Sequence, residues 1–553
     1  MADRIDKLIV TNLSALRAKY GAGGLSKIKS ALARLIAADR KRDLTGKLVD
    51  LSSSTQMRAF NARPVTDPLD PRQNKAAIDA VYGKINPDYL LLIGAGDIIA
   101  FQDLKNPLHL NVRNQDPDRQ APSDLPYASD QPYSREPTQF QGPTRVVRRL
   151  PDLPTPDAPD LPPPVEYLLG VLQSATAWKP HPANASPAHF AVSAQVWKKS
   201  TQKSVSAIFS SSTPVETVPA RGPDWTKPAL SPRFHFINCH GNVSVPEFYG
   251  EPEGFEDYPI AMQSVNLPGN IAEGTIVAAE CCYGGQIYGV TAAEPVMGIC
   301  NTYLQQGAYG VFASTTIAYG PAEDNSDADL ICQYFLQKVL AGASIGRAAL
   351  EARQKFVKVA APLSYTEQKT LAQFNLYGDP SITPVKAAPN AGVANAARAE
   401  GGKPSPARTA RRAKAAGRAD RAGRRCALIA EGDALRAIKA PMKRSKTGHA
   451  RKAMLDKEAR RLKLDPGDAV TCTVGSKLGA KGALRSKALT SYQPPKTSYH
   501  ILFAAKLGRK AKAAPAGAKA AANGKRRIRK SVLLVAKEVG GEIVELKELY
   551  AHC

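Results

Sequence analysis

The sequence predicts an α/β fold: a mostly parallel sheet covered by helices on both faces, in two subdomains, then a basic linker and a small C-terminal α+β or partly disordered module. Three observations carry this. Short apolar runs end in loops at their carboxyl edge, as buried parallel strands do. These runs alternate with amphipathic helical stretches. The composition then changes abruptly near residue 386. A length of 553 residues suits two to four domains. A hydrophobic share of 43% is enough for at least one sizeable core.

Taken in order, residues 1–83 read as helix-rich. LSKIKSALARLIAADRKR spaces its apolar positions helically, and KLVDL after it is strand-like. Tyr89–Ile93 (YLLLI) is a buried parallel strand running into Gly94-Ala95-Gly96-Asp97. Residues 105–165 are polar and proline-rich. Within them PDLPTPDAPDLPPP (151–164) excludes helix and central strand and reads as the connection between subdomains. EYLLGVLQSATAW is helical. FHFIN (234–238), TIVAA (275–279) and residues 309–313 are strands. ADLICQYFLQKVLAGAS and SIGRAALEARQKFVKV are amphipathic helices. The boundaries expected are 1–165, 166–386, a flexible basic linker at 387–425 and a basic module at 426–553. In that module VTCTV and YHILFAA read as strands, and SVLLVAKEVGGEIVELKELY as strands with a hairpin or helix.

Charge separates the parts. The net +26 is not spread evenly: residues 1–390 hold 37 Lys+Arg and 37 Asp+Glu, and residues 391–553 hold the other 38 and 12. Nucleic-acid binding throughout is thereby excluded. The charges that interrupt MADRIDKLIVTNLSALRAKYG exclude a signal peptide or a span, and no apolar run approaches about 18 residues. A soluble cytoplasmic protein with free thiols, bound to no membrane, is the expectation.

Two strand ends carry the chemistry. Phe234-His235-Phe236-Ile237-Asn238-Cys239 runs into His240-Gly241-Asn242. Thr275-Ile276-Val277-Ala278-Ala279-Glu280 runs into Cys281-Cys282-Tyr283-Gly284-Gly285. Ligands of open α/β sheets bind beyond the carboxyl ends of strands. A thiolate is the nucleophile, and an imidazole can generate it and protonate the leaving amine. Gly241 allows close backbone approach. The N–H groups of Gly241 and Cys281 are the candidate oxyanion donors.

On these motifs the chain resembles clan CD cysteine peptidases, the caspases, legumains, separases and gingipains. Their pattern is an apolar strand then His-Gly, and a later apolar strand then Cys. Cys281-Cys282-Tyr283-Gly284 is similar to the Cys-x-x-Gly of gingipain-like and legumain-like members. Cys282 as nucleophile gives the Cys-x-Gly of caspases and is the alternative. PDYLLLIGAGDIIAFQDLKNP (87–107), SDLPYASD with VVRRLP (146–151), and FNLYGDPSITP (374–384) resemble gingipain segments in the same order. The resemblance covers 1–386. It implies a caspase-like αβα sandwich in two subdomains, with endopeptidase activity through Cys281 and His240, and needs no metal or organic cofactor. Gingipain secretion and calcium binding are not carried over.

Blander readings stand beside these. A buried cysteine is usually a small hydrophobe. Cys239, His240, Cys281 and Cys282 have zinc-ligand types but lack the usual Cys-x-x-Cys spacing. Cys281 with Cys282 could be a redox pair. His235 reads as a sheet-face residue, and Asn242 as a turn residue. Glu280 is a strand-end rim residue. Ser314 and Thr315, with Thr316, stand where family members build part of the specificity pocket. From Gly241 to Leu330 there are 12 acidic residues and no Lys or Arg. An acidic rim would attract basic substrates, so cleavage after Arg or Lys is expected, on a protein or peptide. The basic residues 387–553 are read as binding nucleic acid or another polyanion through phosphates, or as docking on the peptidase as an inhibitory or autoprocessed segment. A catalytically silent caspase-like scaffold with such a tail is the alternative to an enzyme.

Overall fold

The computed structural model describes residues 4–110, 115–155, 163–182, 187–253, 258–290, 295–386, 442–445, 449–461, 470–474, 497–507, 529–539 and 542–551. The chain opens on a strand that helical spacing had concealed. β1 (Lys7–Thr11) is a fully buried KLIVT, too short and β-branched for a helix start. Asn12 then caps the Leu13–Lys41 helix, its side chain accepting the Ala15 N–H. β2 (Gly46–Asp50), the Asp70-capped Pro71–Ile85 helix and β3 (Tyr89–Ile93) follow. β4 (Gln102–Lys105) and β5 (Gln120–Ser123) pair with each other outside the main sheet. β6 (Val147–Leu150) re-enters it beside β3.

The second half repeats the alternation. After the Val165–Ala177 helix come β7 (His189–Ala194), the Lys198–Phe209 helix, β8 (Glu216–Val218) and β9 (Phe234–Asn238). β10 (His240–Gly241), β11 (Glu247–Tyr249) and β12 (Ile260–Gln263) form a small antiparallel sheet above the end of β9. β13 (Ile276–Ala279), the Ile299–Gln305 helix, β14 (Gly310–Ser314) and β15 (Tyr319–Gly320) lead to helices Asp327–Leu340, Ile345–Ala360 and Tyr365–Gln373, then β16 (Phe374–Tyr377). The ten-stranded order is β2-β1-β3-β6-β16-β14-β13-β9-β7-β8. β16 runs antiparallel to β14 and parallel to β6, closing the seam between the halves. Segments 1–165 and 166–386 therefore supply four and six strands, respectively, of one sheet. Successive side chains alternate between its faces: Val277, Ala279 and Cys281 join the core that includes Tyr167 and Tyr303, whereas Ile276, Ala278 and Cys282 join the core that includes Ile331 and Phe335. The fold is the helix-covered, mostly parallel sandwich expected.

β6 lies within the polar, proline-rich stretch 105–165. Its VRRL carries two arginines yet is fully buried. Arg149 grips Asp124 in a two-pronged ion pair of 2.9 and 2.7 Å and donates to the carbonyls of Gly94, Ala95 and Ile99. Asp124 lies in SDLPYASD, so that segment and VVRRLP are one structural unit. The closing YGDP works similarly. Asp379 and Asp39 flank the ammonium of Lys7 on β1, with all three side chains sealed from solvent.

The expected linker at 387–425 lies outside the described residues, as do residues 475–496 and 508–528. The polyanion expectation rests mostly on basic residues there. The described C-terminal residues form β17 (Met442–Ser445), the His449–Arg461 helix, β18 (Val470–Val474), β19 (Thr497–Leu507), β20 (Arg529–Val539) and β21 (Glu542–Ala551). β20 and β21 make a hairpin, which resolves the hairpin-or-helix alternative. One face of this sheet (Leu502, Leu534, Ala536) packs on Leu455 and Ala459 of its own helix. The other (Tyr499, Ile501, Phe503, Leu533, Val535, Leu549) merges with the core that includes Ile331 and Phe335. No helix among the described residues is long and apolar enough to cross a membrane.

Candidate active site

β9 and β13 are parallel neighbours, in register from Phe234↔Ile276 to Ile237↔Ala279. Their carboxyl ends therefore present His240-Gly241 and Cys281-Cys282 side by side. The two backbones touch. A methyl group on Gly241 would overlap the carbonyl oxygen of Cys282 and stand 3.3 Å from Cβ of Cys281. Only glycine fits this approach. The cysteine turn is tied down by Gly284 N–H to Cys281 O at 3.0 Å, Tyr283 N–H to Thr316 O at 3.1 Å and Gly285 N–H to Ser314 O at 2.7 Å.

His240 is buried between Trp197 and Tyr258, ring centroids 4.5 and 4.9 Å away. Its Nε2 lies 2.9 Å from the buried Glu251 carboxylate, and Nδ1 has no hydrogen-bond partner among the described residues. A proton on Nε2, donated to Glu251, leaves the Nδ1 lone pair free as a base. Glu251 carries no spacing signal in the sequence, where it is one acid among twelve. Glu251→Gln retains shape but removes the charge that stabilises an imidazolium. It should lower kcat about 10–100-fold and leave KM nearly unchanged, measured by steady-state hydrolysis.

The two cysteines face opposite ways. Cys281 is fully buried, its Sγ 4.0 Å from the Ile237 carbonyl, and burial next to Cys239 pushes its thiol well above the ordinary range. Cys282 Sγ accepts the Ala318 N–H at 3.2 Å on the other face of the sheet. The expected zinc alternative therefore lacks convergence: the two thiols do not point to one centre. His235 is indeed a sheet-face residue, held by Tyr303 Oη at 2.8 Å and by the carbonyls of Leu230 and Pro232.

The rim expectations need correction. Glu280, one residue past β13, is fully buried because it points inward, toward Asp329 at the start of the Asp327–Leu340 helix. Burial raises both carboxyls, Asp329 to about 7 and Glu280 well above the ordinary range. Unfolded, both titrate near 4, so the folded form holds the extra proton between about pH 4 and pH 7. The associated stability is complete below about pH 4 and is lost as pH rises through about 7. The urea midpoint should therefore fall from pH 5 to pH 8. Glu280→Gln should flatten that fall.

Ser314 is also fully buried, its hydroxyl donating to Thr316 O at 2.8 Å. Thr315 and Thr316 do line a cavity of about 480 Å³, with Tyr283, Gln286 and Asp118. Asp118 accepts from Tyr283 Oη at 2.8 Å and from the Ile317 N–H at 2.9 Å. Lys369 pairs closely with buried Asp116 and lies 3.3 Å from Asp118. The acidic-rim argument does not survive as stated. Glu251, Glu280, Asp327 and Asp329 are buried, and Glu323 and Asp324 are paired with Lys199 and Lys203.

Residues 240–385 match the model of Peptidase family C25, the gingipain family of clan CD cysteine peptidases. The match opens on His240 and contains the Cys281–Cys282 turn. No curated protein matches. Among solved structures the chain is similar to the structure of a protease, at 13% identity over 70% of this chain and 79% of that one, with a TM-score of 0.44. It is also similar to the Saccharomyces cerevisiae separase–securin complex, at 11% identity over 45% and 14%, with a TM-score of 0.26.

Proposed function

We propose that this chain, a cysteine peptidase of family C25 over residues 240–385, is an endopeptidase that cleaves after Arg or Lys through Cys281 and His240. The observation that supports the reading is the backbone contact of Gly241 with the Cys281–Cys282 turn, which sets the ends of β9 and β13 against each other. The Cys281 proton passes to His240 Nδ1 as sulfur attacks the scissile carbonyl. Gly241 and Cys281 N–H groups hold the resulting oxyanion. Collapse expels the amine, which takes the proton from His240. Water, deprotonated by His240, then adds to the thioester and releases the acid and the free thiol. Glu251 is a positioning residue that orients the imidazole.

Asp118 supports the basic preference. Lys369 is chiefly engaged by Asp116, which leaves Asp118, beside Arg119, as the carboxylate at the wall of the cavity with Tyr283 and Thr316. Such a carboxylate suits an ammonium or guanidinium. A second reading makes Cys282 the nucleophile. The Ala318 N–H on its sulfur, 3.2 Å away, favours it.

Hydrolysis of Arg-, Lys- and Asp-terminated fluorogenic peptides by wild type, Cys281→Ala and Cys282→Ala tests both. Loss of Arg/Lys cleavage in Cys281→Ala alone is expected. Loss in Cys282→Ala alone moves the nucleophile by one residue. Cleavage of only the Asp peptide overturns the basic preference.

A further inference from the structure

β15 is the carboxyl-terminal part of the segment that walls the site. From Thr315 and Thr316 at the cavity, the chain passes Ala318, whose N–H and carbonyl both contact Cys282 Sγ, and reaches Tyr319–Gly320. Such a segment leaves a row of backbone donors and acceptors open for an extended peptide. Here the row is taken. β21 pairs with it antiparallel, Ala551 opposite Tyr319 and Tyr550 opposite Gly320.

The direction of β21 matters. Its carboxyl-terminal end advances toward Ala318 and Cys282. The acyl half of a peptide substrate must arrive the same way, because its last carbonyl is the one attacked. His240, Cys281 and Cys282 are each 0% exposed.

The strand is fastened by contacts that are not part of the catalytic machinery. Lys547 Nζ lies 3.1 Å from Glu367 Oε1. Leu549 and Ala551 are fully buried in the peptidase core. Tyr499 Oη on β19 donates to the Pro362 carbonyl at 2.6 Å. Yet only two residue pairs join β21 to β15, whereas β20 and β21 pair along most of their length. The module's own sheet thus does not depend on the join to β15, and the end of β21 can leave without dissolving it.

We propose that β21 is a built-in occupant of the substrate-strand edge at β15, holding the enzyme latent until that strand end is displaced. The inference rests on the peptidase reading above. It deepens that reading by stating that substrate binds as an added strand on Tyr319–Gly320, in the place β21 holds.

The test uses the full chain with Lys547→Glu and, separately, Leu549→Asp. Three quantities are followed: amide exchange of β21 and Tyr319–Gly320, iodoacetamide alkylation of Cys281 and Cys282 by peptide mass, and hydrolysis of the Arg peptide. Faster exchange at both strands, with alkylation and hydrolysis each rising at least about tenfold, is expected. Faster alkylation without hydrolysis in any form would support the covering strand and sink the peptidase reading instead. Freed strands with alkylation and hydrolysis unchanged from wild type would overturn the latency proposal while leaving the peptidase reading intact. A β21 that stays protected in both variants would overturn it too, since it could not act as a releasable occupant.

Discussion

Gly241→Ala is expected to hydrolyse peptides at below about 1% of the wild-type rate, because a 1 Å displacement of a reacting constellation costs on the order of 10²-fold. The position of the new methyl is set by two backbones that cannot both stay. It would overlap the Cys282 carbonyl oxygen and press on Cys281 Cβ. That oxygen belongs to backbone, so no flexible side chain can swing aside. Either the His240-Gly241 segment lifts from the β9 end or the cysteine turn is pushed toward the Ser314–Thr316 loop that anchors it. In the proposed mechanism each move would part the imidazole from the thiol and displace the two N–H donors. Stopped assays at matched folded fraction, checked by circular dichroism, separate this loss from unfolding.

The largest effect on stability is expected at Asp379→Ala, far from the cysteines. Lys7, Asp39 and Asp379 are all 0% exposed, and Ser381 Oγ lies 3.2 Å from the Lys7 ammonium. Removing one carboxylate strands a buried cation whose remaining partner, Asp39, is raised by burial to about 6 and holds its charge less firmly. Breaking a buried pair from one side costs about 3–5 kcal/mol, which corresponds to a drop in Tm of roughly 10 °C for a domain of this kind. The loss also unties β1 from the loop after β16, so it should loosen the seam between the half-sheets. Thermal unfolding of Asp379→Ala and of Lys7→Met measures it. Lys7→Met should cost less, because it leaves two carboxyls that can share a proton.

What could be read from the sequence followed from local pattern. FHFIN, TIVAA and the 309–313 run are continuous apolar strands with glycine-bearing turns after them, and their ends do adjoin. β1 was hidden because three apolar residues, Leu8 to Val10, lead almost straight into a capped helix. β6 was hidden because two arginines exclude a core strand unless a carboxylate and three carbonyls await them, and those partners lie on other segments. Glu280 looked like a rim residue because its partner Asp329 is far along the chain. Glu251 could not be distinguished from its acidic neighbours until β10 and β11 folded it back over His240. β15 could not be read at all: two residues become a strand only through a partner some 230 positions later.

The most direct measurement is mapping the covalent adduct formed with an arginyl chloromethyl ketone, on wild type and on Lys547→Glu. A single adduct on Cys281, faster in the Lys547→Glu protein and lost when His240→Ala is added, is the predicted result. Label spread evenly over Cys239, Cys300 and Cys332, or absent from the Cys281–Cys282 turn even in the opened protein, would contradict a His240-activated cysteine nucleophile.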